Sequence, residues 1–206
     1  MLVGALGAGG LILASLKGGT SAQGPATPSP TPTDPTPTDP TSAATTPSPA
    51  VTKTATAVPE GWRLVTSQTG GFTVPVPDGW RGVKSTDRDS ITWSAPGNPG
   101  KLIVEWTEDA WTDPVGHWKQ VEADIIAKRE FTGYTRLGIR PVRYQGLDAA
   151  DWEFTRAKGQ TLIHVVNRSF RTRDGRPFAV YWETTDARWQ QDQSDFTTVV
   201  RYFRTL

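Results

Sequence analysis

Every aromatic residue of this chain lies at or beyond Trp62, and that division limits which part can fold. Before position 59 the only charged side chains are those of Lys17, Asp34, Asp39 and Lys53. A segment without aromatic side chains buries too little apolar surface to offset the entropy lost on ordering. A core can therefore form only in the later part, Pro59 to Leu206, which is long enough to build one without staples. The chain reads as three parts: an apolar membrane anchor or signal segment at 1–19, a disordered Thr/Pro-rich linker at 20–58, and an α+β extracytoplasmic domain at 59–206.

Charge and cysteine usage narrow the function. With 22 Lys+Arg against 21 Asp+Glu there is no field of one sign to hold a polyanion, which argues against a nucleic-acid partner. The absence of cysteine excludes disulfides, thiolate metal sites, a cysteine nucleophile and a lipid-modified N-terminal Cys.

Leu2 to Leu16 (LVGALGAGGLILASL) is apolar and uncharged, yet shorter than the roughly 20 residues a helix needs to span hydrocarbon. It reads as a remnant of a membrane helix, or as a signal peptide with small residues at Thr20-Ser21-Ala22 but no basic residue before the apolar run. Both readings put residues 20–206 outside the cytoplasm, at the cell membrane or secreted. From Gly24 to Val58, proline at nearly every second or third position favours polyproline II, at ~3.1 Å per residue. That segment is a semi-rigid stalk or a passive linker.

In the later part, Phe72 to Pro77 (FTVPVP) reads as an edge strand, because its prolines cannot donate to a ladder on both sides. Ser90–Ser94 and Lys101–Thr107 read as a hairpin joined by the turn residues Ala95 to Gly100. Asp113-Pro114 supplies an N-cap and a first-turn proline for a helix whose buried face is Val115, Trp118, Val121, Ile125 and Ile126, with Gly133 as its stop. Tyr134–Tyr144, Ala149–Arg156, Thr161–Arg173 and Arg176–Thr185 then form a meander, with turns at Lys158-Gly159 and Asp174-Gly175. A second helix starts near Asp186 or Ser194 and carries Phe196, Val199, Val200 and Phe203 on one face. The fold class is α+β: an antiparallel sheet flanked by two helices.

Chemistry is sparse. His117 and His164 are the only histidines and show no ligand spacing, so no metal site and no cofactor is expected. His164 reads as a hydrogen-bonded member of a sheet face. The nucleophile elbow, the phosphate-binding glycine loop and the kinase signatures are absent from these residues, and no catalytic residue is assigned. Glu105, Glu108, Glu153 and Glu183 read as partners in cross-strand ion pairs, with a hydrolytic pair as the alternative. The sequon Asn167-Arg168-Ser169 falls inside a strand and is discounted. Nine tryptophans are more than volume requires. Most read as core, as for Trp118 and Trp152, while Trp111 and Trp189, beside loops, are the candidates for lining a ligand groove.

The strings GFTVPVPDGW (Gly71 to Trp80), GYTRLGIRPVRYQGLDAADWEFT (Gly133 to Thr155), HVVNRSF (His164 to Phe170) and FAVYWETTDARW (Phe178 to Trp189) resemble the C-terminal extracellular region of actinobacterial serine/threonine protein kinases. The resemblance extends to LpqN-type lipoproteins and the PsbP-like fold. It implies an antiparallel sheet flanked by helices, reached from a membrane helix through a Pro/Thr-rich linker. Phosphotransfer is not carried over, since no kinase domain is present here, and the lipoprotein cysteine is also missing.

The expected function is a non-catalytic, ligand-binding or sensory module. The expected partner is a small molecule, a wall fragment or a protein, with the membrane reached through the N-terminal segment and homodimerisation left open. A stand-alone envelope protein that holds a partner through a sheet edge or aromatic patch is the alternative, and a hydrolase the third.

Overall fold

The computed structural model describes residues 57–109 and 111–206. The apolar segment at 1–19 and the linker up to residue 56 lie outside the described residues. The strands are β1 (Trp62–Ser67), β2 (Phe72–Pro77), β3 (Arg81–Lys84), β4 (Ser90–Ser94) and β5 (Lys101–Trp106), followed by helix α1 (Pro114–Lys128). The meander β6 (Thr135–Tyr144), β7 (Leu147–Lys158), β8 (Thr161–Arg171) and β9 (Pro177–Thr185) comes next. A short 3-10 turn at Asp186–Arg188 leads into α2 (Trp189–Tyr202), and β10 (Arg204–Thr205) closes the chain.

Seven strands form one antiparallel sheet in the order β3-β4-β5-β9-β8-β7-β6, and the remaining three form a small sheet, β1-β2-β10. Alternation along the strands sends side chains to two buried faces. One face carries Leu102, Val104, Val180, Trp182, Val166 and Phe170, and packs with Val74, Phe196 and Val199 of the small sheet and α2. The other carries Ile103, Ala179, Tyr181, Val165, Trp152 and Phe154, and packs with Trp118, Val121 and Ile125 of α1. The two helices thus cover opposite faces. At the α1 face, the indole N–H of fully buried Trp118 donates to the Ala150 carbonyl at 3.1 Å, so the helix seats directly on the sheet backbone.

The predicted hairpin β4–β5 and the meander are present in antiparallel register, which shifts at one bulge between Arg136 and Gly138 on β6. Asp113 caps α1, accepting from the Val115 N–H at 3.0 Å, with Pro114 in the first turn. Four expectations are corrected. β2 is the central strand of the small sheet, not an edge. Its prolines are tolerated because β10 pairs only with Phe72 and Thr73, leaving Pro75 and Pro77 beside β1 alone. Helix α1 ends before Gly133, at Arg129 in a left-handed conformation with φ 53°, and Ile126 is exposed rather than buried. Phe203 lies just past the second helix rather than on its face, stacked on Phe72 at 5.5 Å, whereas the helix start near Asp186 is as predicted, with the 3-10 turn there running into α2 at Trp189.

Two buried titratable groups sit on the α1 face. His117 is 6% exposed and lies between Trp111 and Trp118, at ring distances of 4.7 and 5.1 Å, with no partner for its Nε2. Burial alone pushes its pKa down to about 4 from an ordinary 6.5. Glu183 is 1% exposed and pairs with Arg156 at 2.7 Å and Lys101 at 3.0 Å, while Tyr181 donates its hydroxyl to the same carboxylate. Burial raises the carboxyl pKa, and the two cations overcome this, holding it below its ordinary value.

The His117 imidazole predicts an acid-sensitive fold. Because the folded pKa lies below the unfolded one, the stability is fully present above 6.5 and falls as pH drops from there towards about 4. The slope from this group is about 1.4 kcal/mol per pH unit. Urea unfolding of the wild type and of His117→Phe at pH 7 and pH 5 should show that slope in the difference between the two, because Asp195, whose carboxyl is raised to about 6, contributes the opposite slope to both. For Glu183, replacement by Gln should cost about 3 kcal/mol or more, because Arg156 is left buried without its carboxylate. The double variant Glu183→Gln/Arg156→Met should recover part of that loss in the same unfolding assay.

Candidate functional site

Three turns and the last residues of the described chain meet around a cleft of about 390 Å³. That volume lies within the range of small-ligand sites. The cleft is built from Gly71 after β1, Gln145 and Leu147 at the β6–β7 turn, Thr172 to Arg176 between β8 and β9, and Thr205-Leu206. Its floor includes Phe170 and Phe178, stacked at 5.7 Å with an interplanar angle of 14°.

The turn residues hold this geometry for local reasons. Gln145 and Gly146 have φ of 51° and 78°, the left-handed pair that a two-residue hairpin turn with native twist requires. The Gln145 amide donates to the Tyr144 hydroxyl at 2.9 Å and to the Phe203 carbonyl at 2.8 Å, which ties that turn to the end of α2. Between β8 and β9, Thr172 Oγ1 accepts from the Arg176 N–H at 2.9 Å and donates to the Arg176 carbonyl at 3.1 Å. Gly71 has no side chain where a Cβ would come within 2.6 Å of the Arg176 guanidinium, so the arginine can lie over it.

Arg176 is half-buried, with its guanidinium 5.4 Å from the Phe178 ring and 5.9 Å from the Trp106 ring. Arg173 is exposed at the tip of the same turn. Among the described residues, neither arginine has a carboxylate within salt-bridge distance, although most of the other arginines of the sheet do. Asp174 also lines the cleft, so its charged side chains sum to one net positive. Guanidinium groups in fork geometry match carboxylate and phosphate oxygens. The cleft therefore sets two guanidinium groups beside a floor that includes two phenylalanine rings.

The residues singled out in the sequence lie elsewhere. Trp111 packs against the α1-side cluster and Trp189 against the α2-side cluster, so the two indoles are on opposite faces of the large sheet and share no groove. Neither lines the cleft. Trp189 stacks on His164 at 3.7 Å, and His164 lies 3.0 Å from both Asp186 and Glu153 through its two ring nitrogens. Glu153 is shared with Arg140. The remaining carboxylates do not converge on the cleft: Glu183 is held by Arg156 and Lys101, Glu105 is buried on β5, and Glu108 is exposed after it. Asn167 and Ser169 are buried within β8, so the sequon is inaccessible to modification in the folded chain. Six tryptophans, Trp80, Trp93, Trp106, Trp118, Trp152 and Trp182, are buried in the core.

What sequence reasoning missed is the pair Arg173 and Arg176. The turn at Asp174-Gly175 was legible, and the signal beside it was an arginine on each side, where an ordinary hairpin turn needs neither.

Comparison with known proteins identifies the fold and the family. The fold is similar to that of CyanoP, the cyanobacterial PsbP of Synechocystis sp. PCC 6803, with a TM-score of 0.58, 16% identity, and 71% of this chain and 93% of that one covered. LpqN of Mycobacterium tuberculosis, a protein involved in cell envelope biogenesis, aligns with a TM-score of 0.49 at 17% identity over 70% of this chain and 91% of that one. The Ran-binding protein Mog1p of Saccharomyces cerevisiae aligns with a TM-score of 0.49 at 11% identity over 72% of this chain and 96% of that one. No curated protein sequence matches the chain. Among the described residues no helix is long and apolar enough to cross a membrane. Residues 63–205, nearly the whole of the folded part, match the serine/threonine kinase C-terminal domain. The chain belongs to that family, and its folded part is a non-catalytic C-terminal region of such kinases, not their catalytic domain.

Proposed function

We propose that the folded part is an extracytoplasmic sensory module that binds an anionic, partly apolar ligand in the cleft where the turns meet. The observation that carries this reading is the pair Arg173 and Arg176, neither with a carboxylate within salt-bridge distance among the described residues, set beside the floor of Phe170 and Phe178. A buried or half-buried guanidinium left without a counter-ion gains more from an incoming carboxylate or phosphate than a solvated, already paired one. Membership of a kinase-associated family supports a role in signalling, and the Thr/Pro-rich linker supports a position held away from a membrane. A ligand would act by binding one arrangement of the domain, or of a pair of domains, better than another.

Strand addition at the sheet edge is the weaker reading. The edge strand β6 carries a bulge at Arg136/Gly138, Pro141 in mid-strand, and Arg136, Arg140 and Arg143 along its length, all devices that discourage pairing. The opposite edge, β3, is only four residues long.

Titration of the full chain with octyl phosphate below its micelle concentration, followed by indole emission, tests the reading. Trp106 lies under Arg176 and should report occupancy. Arg173→Gln, an exposed position that leaves the fold alone, should weaken binding about tenfold, and Arg176→Gln by more, since a charged hydrogen bond is worth about 1.5–3 kcal/mol. Octanol should bind far more weakly than octyl phosphate. Equal binding by both arginine variants and the wild type would sink the proposal.

A further inference from the structure

A second cavity, of about 130 Å³, shares no lining residue with the cleft between the turns. At ~30 Å³ per water it has room for about four waters, hence for a small headgroup. Three indoles line it, brought from distant parts of the chain: Trp62 on β1, Trp80 just after β2, and Trp182 on β9. Trp80 and Trp182 are stacked at 5.4 Å with an angle of 9°, and Trp182, 1% exposed, has no partner for its indole N–H. The polar wall comes from Arg188, Asp192 and Asp195 at the start of α2, with Asn98 from the β4–β5 loop.

The two carboxylates are not equivalent. Asp192 is saturated: it accepts from Thr184 Oγ1 at 2.6 Å and from Arg188 Nε and Nη2 at 2.9 and 3.0 Å. Arg188 is thereby committed to Asp192. Asp195, one helical turn on and half-buried, has no hydrogen-bond donor and no salt bridge among the described residues. The charged side chains of the cavity sum to one net negative, and the surplus resides on Asp195. Indole faces attract cations through their quadrupole, most strongly where water is excluded. An aromatic-walled cavity with a net negative charge and one carboxylate that no hydrogen bond or salt bridge engages favours a positively charged guest over a neutral sugar or an anion.

We propose that this cavity is a binding site for a small organic ammonium group, held against the indoles with Asp195 as its counter-ion. The groups facing Asp195 are few. Asp192 and Arg188 are the charged ones, while β1, β2 and β9 present Trp62, Pro77 and Trp182, and the connections present Trp80 and Asn98. Burial, aided by the Asp192 charge and opposed by Arg188, lifts the Asp195 carboxyl to about 6. An ammonium ion supplies the missing charge, and its binding draws the proton off. Affinity should therefore be full above pH 7 and decline as pH falls through 6, by about tenfold at pH 5.

The test is intrinsic indole emission of the full chain titrated with choline chloride and, separately, with n-propylammonium chloride, against sodium chloride at equal ionic strength. The expected result is a saturable response to at least one ammonium salt at pH 7.5, weakened about tenfold at pH 5. Response to choline alone marks a quaternary headgroup, and response to both marks ammonium in general. Asp195→Asn should abolish the response while leaving the thermal midpoint at pH 7.5 no lower than that of the wild type. Trp62→Leu, at a half-buried position, gives a second reading and should weaken binding at least fivefold. The proposal is overturned if neither salt binds, if the neutral choline isostere 3,3-dimethylbutan-1-ol binds equally well, if methyl glucoside binds in their place, or if Asp195→Asn binds like the wild type.

Discussion

Burial of the large sheet on both faces is the constraint from which the rest of the structure follows. In β9, the central strand, eight of nine residues are buried, so it has no solvent face on which to place polar side chains. Antiparallel sheets commonly leave one face wet. Here α1 covers one face while α2 and the small sheet cover the other, and the strand reads PFAVYWETT, almost without alternation. The charge that β9 does carry, Glu183, must then be neutralised inside, and Arg156 and Lys101 arrive from β7 and β5 to do so. Aromatic side chains fill the thick layers on either side, which explains why so many indoles serve packing.

A sheet covered on both faces leaves its ends and turns for recognition. The strands hold the turns rigidly, and the turns carry side chains that the core does not need. The cleft between the turns and the three-indole cavity obey the same logic. Each is assembled from segments remote in sequence, and each has a charged group with no counter-charge within salt-bridge distance: Arg173 and Arg176 in one, Asp195 in the other. Asp195, lifted by burial, opposes folding at neutral pH, and a charge kept at such a cost is informative about function.

The local elements were readable from residue patterns because their causes are local. Asp113-Pro114 announces α1, and the β4–β5 turn is spelled by Ala95 to Gly100. The strands that escaped notice, β1, β3 and β10, lack alternation and owe their existence to partners; β10 is a two-residue pairing with β2 at the far end of the chain. The same reason accounts for β2, whose prolines signal an edge correctly for the half that β10 does not reach. Ile126 fits the helical spacing of the buried face, but the helix turns it outward to 55% exposure. The site was the least legible part. Loop-adjacent indoles drew attention, while the arginines around a single Asp-Gly turn gain meaning only once Gly71, Gln145 and Phe178 are known to surround them. Family resemblance supplied the fold where local pattern ended, and it supplied no binding residue.

The pairing of β5 with β9 bears on how the chain reaches this state. The ribbon β3–β4–β5 is made early in the chain, and its free side is satisfied only by a strand that follows α1 and the whole run β6–β8. Phe72 likewise waits for Thr205. Such high contact order makes the search slow and leaves an apolar ribbon open while later segments are still arriving. The short, charged β3 and the bulged, arginine-bearing β6 close off the two outer margins of the finished sheet, whereas the margin of β5 is shielded by nothing except the arrival of β9. In this architecture the interval before β9 docks is the period of greatest exposure to aggregation.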